Sequence, residues 1–155
     1  MVNKLFCSYL AGFLDADGSI YVQLKKNETY KYKFQISPSV VFFQKDATGL
    51  EKIQKQLALG YLRKRKDGLT ELIVGDRSSI RKLLILVLPF LILKVKQADL
   101  MLEILDKMET VKSADNFLEI AKKIDQYREL NYSKKRTVDA RVVGIHLKNL
   151  RLLTP

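Results

Sequence analysis

The sequence predicts an α+β domain in which helix–hairpin units are followed by further helices. Three observations predict it. Apolar residues in "NKLFCSYLAGFL" recur at three- and four-residue intervals, residues 19–44 contain two stretches that alternate polar and apolar, and Asp67-Gly68 separates two further short runs as a hairpin turn. With 155 residues, 47% of them hydrophobic, the chain supports one sizeable core. It is expected to form a single domain over 1–155, with 131–155 as a basic C-terminal extension packed on it.

The elements follow in order. Leu5, Tyr9, Leu10, Phe13 and Leu14 form the apolar stripe of a first helix that Gly18 stops. Ile20, Val22 and Leu24 then alternate with Ser19, Tyr21, Gln23 and Lys25, the period of a half-buried strand. A polar turn over 26–29 leads to a second alternation, in which Tyr32, Phe34 and Ile36 oppose Lys31, Lys33, Gln35 and Ser37. Pro38 predicts a bulge or an edge position. "DATGLEKIQKQLALG" predicts a helix with Leu50, Ile53 and Leu57 on one face and Gly60 at its exit, and 61–74 a second hairpin. The longest apolar run, Leu83 to Leu93, predicts a buried core helix ending near Pro89. Segments 78–88, 97–110 and 114–130 predict helices, the last capped by Ser113 with Phe117, Ile120, Ala121, Ile124 and Tyr127 as its core stripe. The tail from Asn131 predicts one more amphipathic helix.

Charge narrows the partner. Lys and Arg number 28 against 17 Asp and Glu, a formal net charge of +11. That excess points to a polyanion, most simply nucleic acid, ahead of an anionic membrane surface. One cysteine (Cys7) and one histidine (His146) exclude an internal disulfide framework and a zinc cluster. Chemistry must come from carboxylates, lysines and metals bound through oxygen. No secretory or transit signal is apparent, and the run at 83–93 is too short to cross a bilayer. A soluble, intracellular protein without a membrane partner is expected.

Residues 10–18, "LAGFLDADG", break several local rules at once. Asp15 and Asp17 lie at a helix C-terminus, where the macrodipole disfavours carboxylates by up to ~1 kcal/mol. Gly12, within the helix, costs roughly 0.5–1 kcal/mol relative to alanine. Such clustering marks functional sites. The two acids are about 200° apart around the helix, so they cannot share one task.

A second surface comes from the hairpins. The outward face of the first carries Tyr21, Gln23, Lys25, Asn27, Tyr30, Lys31, Lys33, Gln35 and Ser37, and the second adds Arg63 and Arg65. A single hairpin of this kind reads as a solvated face. Two hairpins that mix amides with cations fit a strand ribbon in the DNA major groove, where Arg and Lys read guanine and Gln or Asn reads adenine. Ser133, Lys134, Lys135, Arg136 and Thr137 suit phosphate contacts.

"LAGFLDADGS" resembles the signature of the LAGLIDADG homing endonucleases, the site-specific DNases encoded within mobile introns and inteins. "PFLILKVKQAD" at 89–99 and "FLEIAKKIDQYRELNYSKKRT" at 117–137 are similar to segments of its single-motif group, found in organelle and archaeal ribosomal RNA introns. The resemblance covers nearly the whole chain. It implies an αββαββα saddle with additional C-terminal helices, the concave sheet lying along the major groove, and a home in an organelle or the archaeal cytoplasm. Carried over by position, it implies that Asp17 binds metal with the backbone carbonyl of Ala16, that Gln44 organises solvent, and that Lys94 lies near the scissile phosphate. Thr48 stands where relatives carry a basic residue, leaving Lys45 or Lys96 to supply that charge.

A single motif further implies a homodimer packed along a two-fold axis through the small-residue face Ser8, Ala11, Gly12 and Asp15. Asp15 is then assigned to capping or to holding backbone at the interface. Two Asp17 carboxylates brought within ~4 Å repel by ~4 kcal/mol at an effective dielectric near 20. Divalent cations offset this, and an oxygen-only ligand set suits Mg²⁺. Mn²⁺ is expected to substitute, and Ca²⁺ to bind without supporting cleavage. The expected reaction is hydrolysis of double-stranded DNA across the minor groove of a long pseudo-palindromic site, leaving 3′ overhangs. The alternatives are a maturase that binds intron RNA and a DNA-binding protein that does not cleave, both on the same scaffold.

Overall fold

The first helix begins at an asparagine and ends on an aspartate. In a computed structural model that describes residues 2–132 and 136–155, α1 spans Lys4–Asp17, and the Asn3 side chain accepts from the Phe6 amide at 2.9 Å as its N-cap. The order then runs β1 (Gly18–Lys26), β2 (Phe34–Gln44), α2 (Ala47–Leu57), β3 (Tyr61–Lys64), β4 (Thr70–Val74) and α3 (Arg77–Val87). After a 3₁₀ turn at Leu88–Phe90 come α4 (Val95–Glu109), α5 (Ala114–Asp125), α6 (Tyr127–Leu130) and α7 (Ala140–Asn149). The expected α+β order of helix, hairpin, helix, hairpin and further helices is present. The strands make one sheet in the order β1-β2-β4-β3, with β4 antiparallel to both neighbours.

The chain divides into two compact units. One comprises residues 1–20 and 38–98. Its core gathers Leu10 and Leu14 of α1, Phe42 of β2, Leu50 of α2, Leu72 of β4 and Leu83 and Leu84 of α3, all fully buried. Phe42 pairs with Leu72 across β2 and β4, and Leu62 with Leu72 across β3 and β4. The other unit comprises residues 21–37 and 99–155. Val22, Phe34, Met101, Ile120, Ile124, Tyr127, Val143 and Leu147 form its core. Ser113 caps α5 as expected, its hydroxyl accepting from the Asn116 amide at 3.1 Å. Asp46, Asp76 and Asp139 cap α2, α3 and α7 in the same manner.

Three expectations are corrected. The first turn is longer than 26–29: residues 27–33 connect the strands, and Lys33 turns back at φ 64° before β2 begins at Phe34. Asn27, Tyr30, Lys31 and Lys33 therefore belong to a loop. The apolar run at 83–93 is not one buried helix. Its helix stops at Val87, where Pro89 cannot continue it, and Ile85, Ile92 and Leu93 are exposed. The segment 114–130 breaks at Gln126 into α5 and α6. Pro38 fits its environment because β2 pairs with β4 only from Val40 to Gln44, so its missing amide interrupts no bond on that side.

Two glycines are fixed by geometry. Gly68 turns the β3–β4 hairpin at φ 87°, where other residues are strained. Gly18 lets α1 pass directly into β1: a Cβ there would lie 2.8 Å from Leu14 Cα and 2.9 Å from its carbonyl oxygen.

Candidate active site and nucleic-acid interface

Asp15 and Asp17 end α1 in different surroundings. Asp15 is half-buried, whereas Ala16 and Asp17 are exposed. The Asp15 carboxylate accepts from the amides of Ile92 at 2.8 Å, Leu93 at 3.1 Å and Lys94 at 3.0 Å. Three charge-assisted bonds offset the unfavourable dipole at this helix end. The Lys94 ammonium donates to the Asp15 main-chain carbonyl, one of the helix-terminal oxygens that lack an intrahelical partner. Lys94 also begins α4, its carbonyl accepting from the Ala98 amide at 3.0 Å. The two acids differ in their surroundings: Asp15 holds backbone of its own chain, at Ile92, Leu93 and Lys94, rather than backbone at an interface between copies, and Asp17 is exposed.

Gln44 ends β2, exposed, and its side-chain oxygen accepts from the Lys45 amide at 3.2 Å. With Ser8, Tyr9, Gly12 and Phe13 of α1, and Asp46, Gly49 and Ile53, it lines an open groove of about 510 Å³. Lys45 and Lys96 are exposed in the same unit. Thr48 is engaged at the start of α2, its amide donating to Asp46 at 3.0 Å. Among the described residues, no group of three or more His, Cys, Asp or Glu side chains could hold a metal ion. Asp17 and the Ala16 carbonyl are hard oxygen donors that fit Mg²⁺ chemically, with further ligands coming from water or phosphate.

The expected small-residue face needs one correction. Ser8 and Gly12 are exposed, and a Cβ on Gly12 would meet nothing within 4 Å. Ala11 is 0% exposed. Its methyl group points into the core beside Leu10 and Leu14, so it presents nothing to a second chain. Exposed apolar side chains on α1 come instead from Leu5 and Tyr9.

In the first hairpin, Val22, Leu24, Tyr32 and Phe34 are buried while Gln23, Lys25, Tyr30 and Lys31 are exposed and Tyr21, Asn27, Lys33, Gln35 and Ser37 are half-buried. The alternation gives the expected outward face at Tyr21, Gln23, Lys25, Gln35 and Ser37, whereas Asn27, Tyr30, Lys31 and Lys33 sit on the loop. The second hairpin differs. Arg63 and Arg65 were expected to read bases, yet both engage Glu71. Arg63 Nη2 lies 2.6 Å and Arg65 Nη1 3.6 Å from its carboxylate, and Arg65 also pairs with Asp67 at 2.7 Å. Glu71 is buried and stands directly opposite Arg63 in the register. The hairpin turn at Asp67-Gly68 fixes that register, so the pair was legible from the turn.

The basic exit is also reassigned. Ser133, Lys134 and Lys135 lie outside the described residues, and Thr137 is exposed. Arg136, expected on phosphate, points inward: its side chain is 16% exposed. Its guanidinium donates to the Val22 carbonyl at 3.0 Å and the Ile124 carbonyl at 3.2 Å, and lies 3.9 Å from Asp125. It ties α5 to β1. Neither remaining singular residue gains a role. Cys7 is buried, and His146 packs edge-on against Phe34 with ring centroids 5.4 Å apart.

Known proteins match this architecture. A family model described as LAGLIDADG endonuclease matches residues 10–101. The DNA endonuclease I-CreI of Chlamydomonas reinhardtii is 38% identical over 151 residues, covering 96% of this chain and 92% of that protein. The DNA endonuclease I-CvuI of Chlorella vulgaris is 39% identical over 150 residues, covering 96% and 93%. A crystal structure of I-CvuI with the I-CreI target and 2 mM Mg superposes with a TM-score of 0.93 at 38% identity, over 97% of this chain and 98% of that one. The archaeal intron-encoded I-Vdi141I bound to DNA shares the fold at 19% identity, with a TM-score of 0.87 over 96% and 98% of the two chains. The chain belongs to the LAGLIDADG endonuclease family.

Proposed function

We propose that the chain is a divalent-metal-dependent, site-specific endonuclease of double-stranded DNA, acting as a homodimer. One observation carries the reading: an exposed carboxylate, Asp17, at the end of a helix whose last turn is locked by Asp15 and Lys94. Among the described residues no group of three or more potential ligand side chains surrounds it, so a rigid, solvent-facing acid of this kind provides half of a metal site. Two copies facing across a two-fold axis provide the whole. The activities of I-CreI and I-CvuI support the substrate class.

In this reading Asp17 and the Ala16 carbonyl hold Mg²⁺, which, when bound, polarises the scissile phosphate and lowers the pKa of coordinated water. Gln44 orients the attacking water. Lys94 places a positive charge at the end of α1, where negative charge builds on the phosphate, and Lys45 or Lys96 adds a second. Each chain cuts one strand, and cuts that straddle the minor groove leave 3′ overhangs. Mn²⁺ serves in place of Mg²⁺, while Ca²⁺ supports binding alone.

The test is a supercoiled plasmid carrying the I-CreI target, incubated with protein and Mg²⁺. Linear product is expected from the native chain. Asp17→Asn should give none while holding the site within a few-fold of native affinity. Cutting by Asp17→Asn at native rates would sink the assignment.

A further inference from the structure

The loop at the tip of the first hairpin fixes the direction of an amide that the sequence alone leaves ambiguous. Asn27 follows β1 immediately, and Gln35 is the second residue of β2, outward of buried Phe34. The Asn27 main chain closes the loop, its amide donating to the Lys33 carbonyl at 2.8 Å. Its side-chain oxygen accepts twice from Thr29, from the amide at 3.1 Å and from the hydroxyl at 2.7 Å. A backbone amide can only donate, so the atom facing Thr29 must be the oxygen. Asn27 Nδ2 is thereby turned to Gln35, which it reaches at 3.4 Å. An NH₂ group needs an acceptor, so Gln35 meets it with Oε1. The end of the Gln35 amide left for a ligand is Nε2.

We propose that Asn27 is a positioning residue that sets the polarity of Gln35, so that Gln35 offers hydrogens to the major groove and selects guanine. The inference rests on the chain's reading as a DNA endonuclease. A glutamine pairs with adenine by directing both its oxygen and its nitrogen at the base, accepting from N6 and donating to N7. With Oε1 turned to Asn27 and one of its two lone pairs engaged there, the amide no longer presents oxygen and nitrogen together, and the two-point fork to adenine is weakened. Guanine presents two adjacent acceptors, N7 and O6, and is the base that a lone NH₂ group satisfies best. The Asn27 oxygen, accepting twice from Thr29, is withdrawn from base reading, and one hydrogen of its Nδ2 is committed to Gln35. This replaces the simple expectation that both amides read adenine.

Binding selection from a randomised duplex library, with full-length protein and Ca²⁺ in place of Mg²⁺, tests the proposal. The native chain should enrich guanine at one pair in each half-site, and Gln35→Ala should erase the preference there and nowhere else. Asn27→Asp keeps the oxygen that accepts from Thr29 but turns a carboxylate to Gln35. Gln35 must then donate Nε2 inward and present Oε1 outward. Preference at that same pair should move by about tenfold to a base offering a donor, cytosine or adenine. The added negative charge weakens all sequences alike and leaves relative enrichment untouched. Asn27→Ala, which releases the amide, should admit adenine beside guanine. Adenine at the Gln35-dependent pair of the native chain, or guanine retained in Asn27→Asp, would overturn the proposal. So would a Gln35→Ala variant with unchanged preferences. A native chain that enriches no sequence at all would defeat the endonuclease reading itself, a different and recognisable outcome.

Discussion

Lys94 is joined to Asp15 twice: its amide donates to the Asp15 carboxylate at 3.0 Å, and its ammonium donates to the Asp15 main-chain carbonyl. The first bond fixes the turn before α4 against the end of α1. The second places a cation on the negative end of the α1 dipole, two residues before Asp17 in the chain.

Asp15→Ala removes the acceptor for three amides, those of Ile92, Leu93 and Lys94. It is expected to lower stability by about 2–3 kcal/mol, seen as a lower denaturant midpoint at unchanged slope. Asp15→Asn keeps one oxygen and should fall between. A native midpoint in Asp15→Ala would show that the turn is held by other contacts.

Arg136 separates holding a fold from holding DNA. Arg136→Ala strips donors from the Val22 and Ile124 carbonyls and takes from Asp125 a guanidinium 3.9 Å away. Stability should drop by about 2–3 kcal/mol. The slope of log K against log salt should stay native, because no phosphate contact is lost. Alanine at Lys134 or Lys135 should reduce that slope by about 1 while leaving the melting temperature alone. A flattened slope in Arg136→Ala would restore it to the phosphate-contacting set.

Two carboxylates should bend the pH–stability curve in opposite directions. Hydrogen bonds from the Ser79 hydroxyl and amide hold the Asp76 carboxyl below its ordinary 3.8. Folded Asp76 binds fewer protons than unfolded Asp76, so its contribution is present above 3.8 and is lost as pH falls through the folded value. Burial pushes Asp125 up, against the lowering effect of the Ala140 amide. Its contribution is fullest below 3.8 and declines as pH rises through the raised value. Urea midpoints across a pH series should show a flatter acid limb for Asp76→Asn and a flatter decline above it for Asp125→Asn. Parallel curves for native and variant chains would refute the corresponding sign.

Gly12 and Ala11 are neighbours with opposite expected outcomes. Ala11 is enclosed, so Ala11→Leu overpacks the chain's own core and should cost about 1–3 kcal/mol. Gly12 is open, with nothing within 4 Å of a Cβ, so Gly12→Leu should fold normally. If two α1 helices pack through this face, Gly12→Leu sediments as a monomer and loses double-strand cleavage. A dimeric, fully active Gly12→Leu protein would remove Gly12 from the interface.

Periodicity exposed most of this fold because it reports burial directly. Leu10 and Leu14, Val22 and Leu24, and Phe117, Ile120, Ala121 and Ile124 all lie where their spacing puts them, whereas Leu5 and Tyr9 of the α1 stripe are exposed. What it missed depended on which side chains meet and which way they point. The side chain of Arg136 looks like any other in a basic cluster until Val22, 114 residues away, supplies its acceptor. Arg63 and Arg65 read as free cations because a buried Glu71 leaves no trace in a strand pattern, and only the register set by Asp67-Gly68 places it opposite. Ala11 was assigned by size, but direction decided. At the acids the motif was informative: two carboxylates at the wrong end of a helix required distinct duties, and Asp15 has one.

Gly18 has a consequence for anyone who would retarget such an enzyme. Because α1 hands over to β1 with no residue between, Asp17 closes the helix and Gly18 opens the strand. A side chain at 18 would press on the Leu14 backbone, and the nearest relief is to tilt the last turn that carries Asp17. Libraries that diversify the hairpin for new targets should therefore keep position 18 constant and begin at Tyr21. Variation at 18 would be selected as poor cutting whatever the letters of the target, and a screen scored on cutting alone would mistake a bent lever for a misread base.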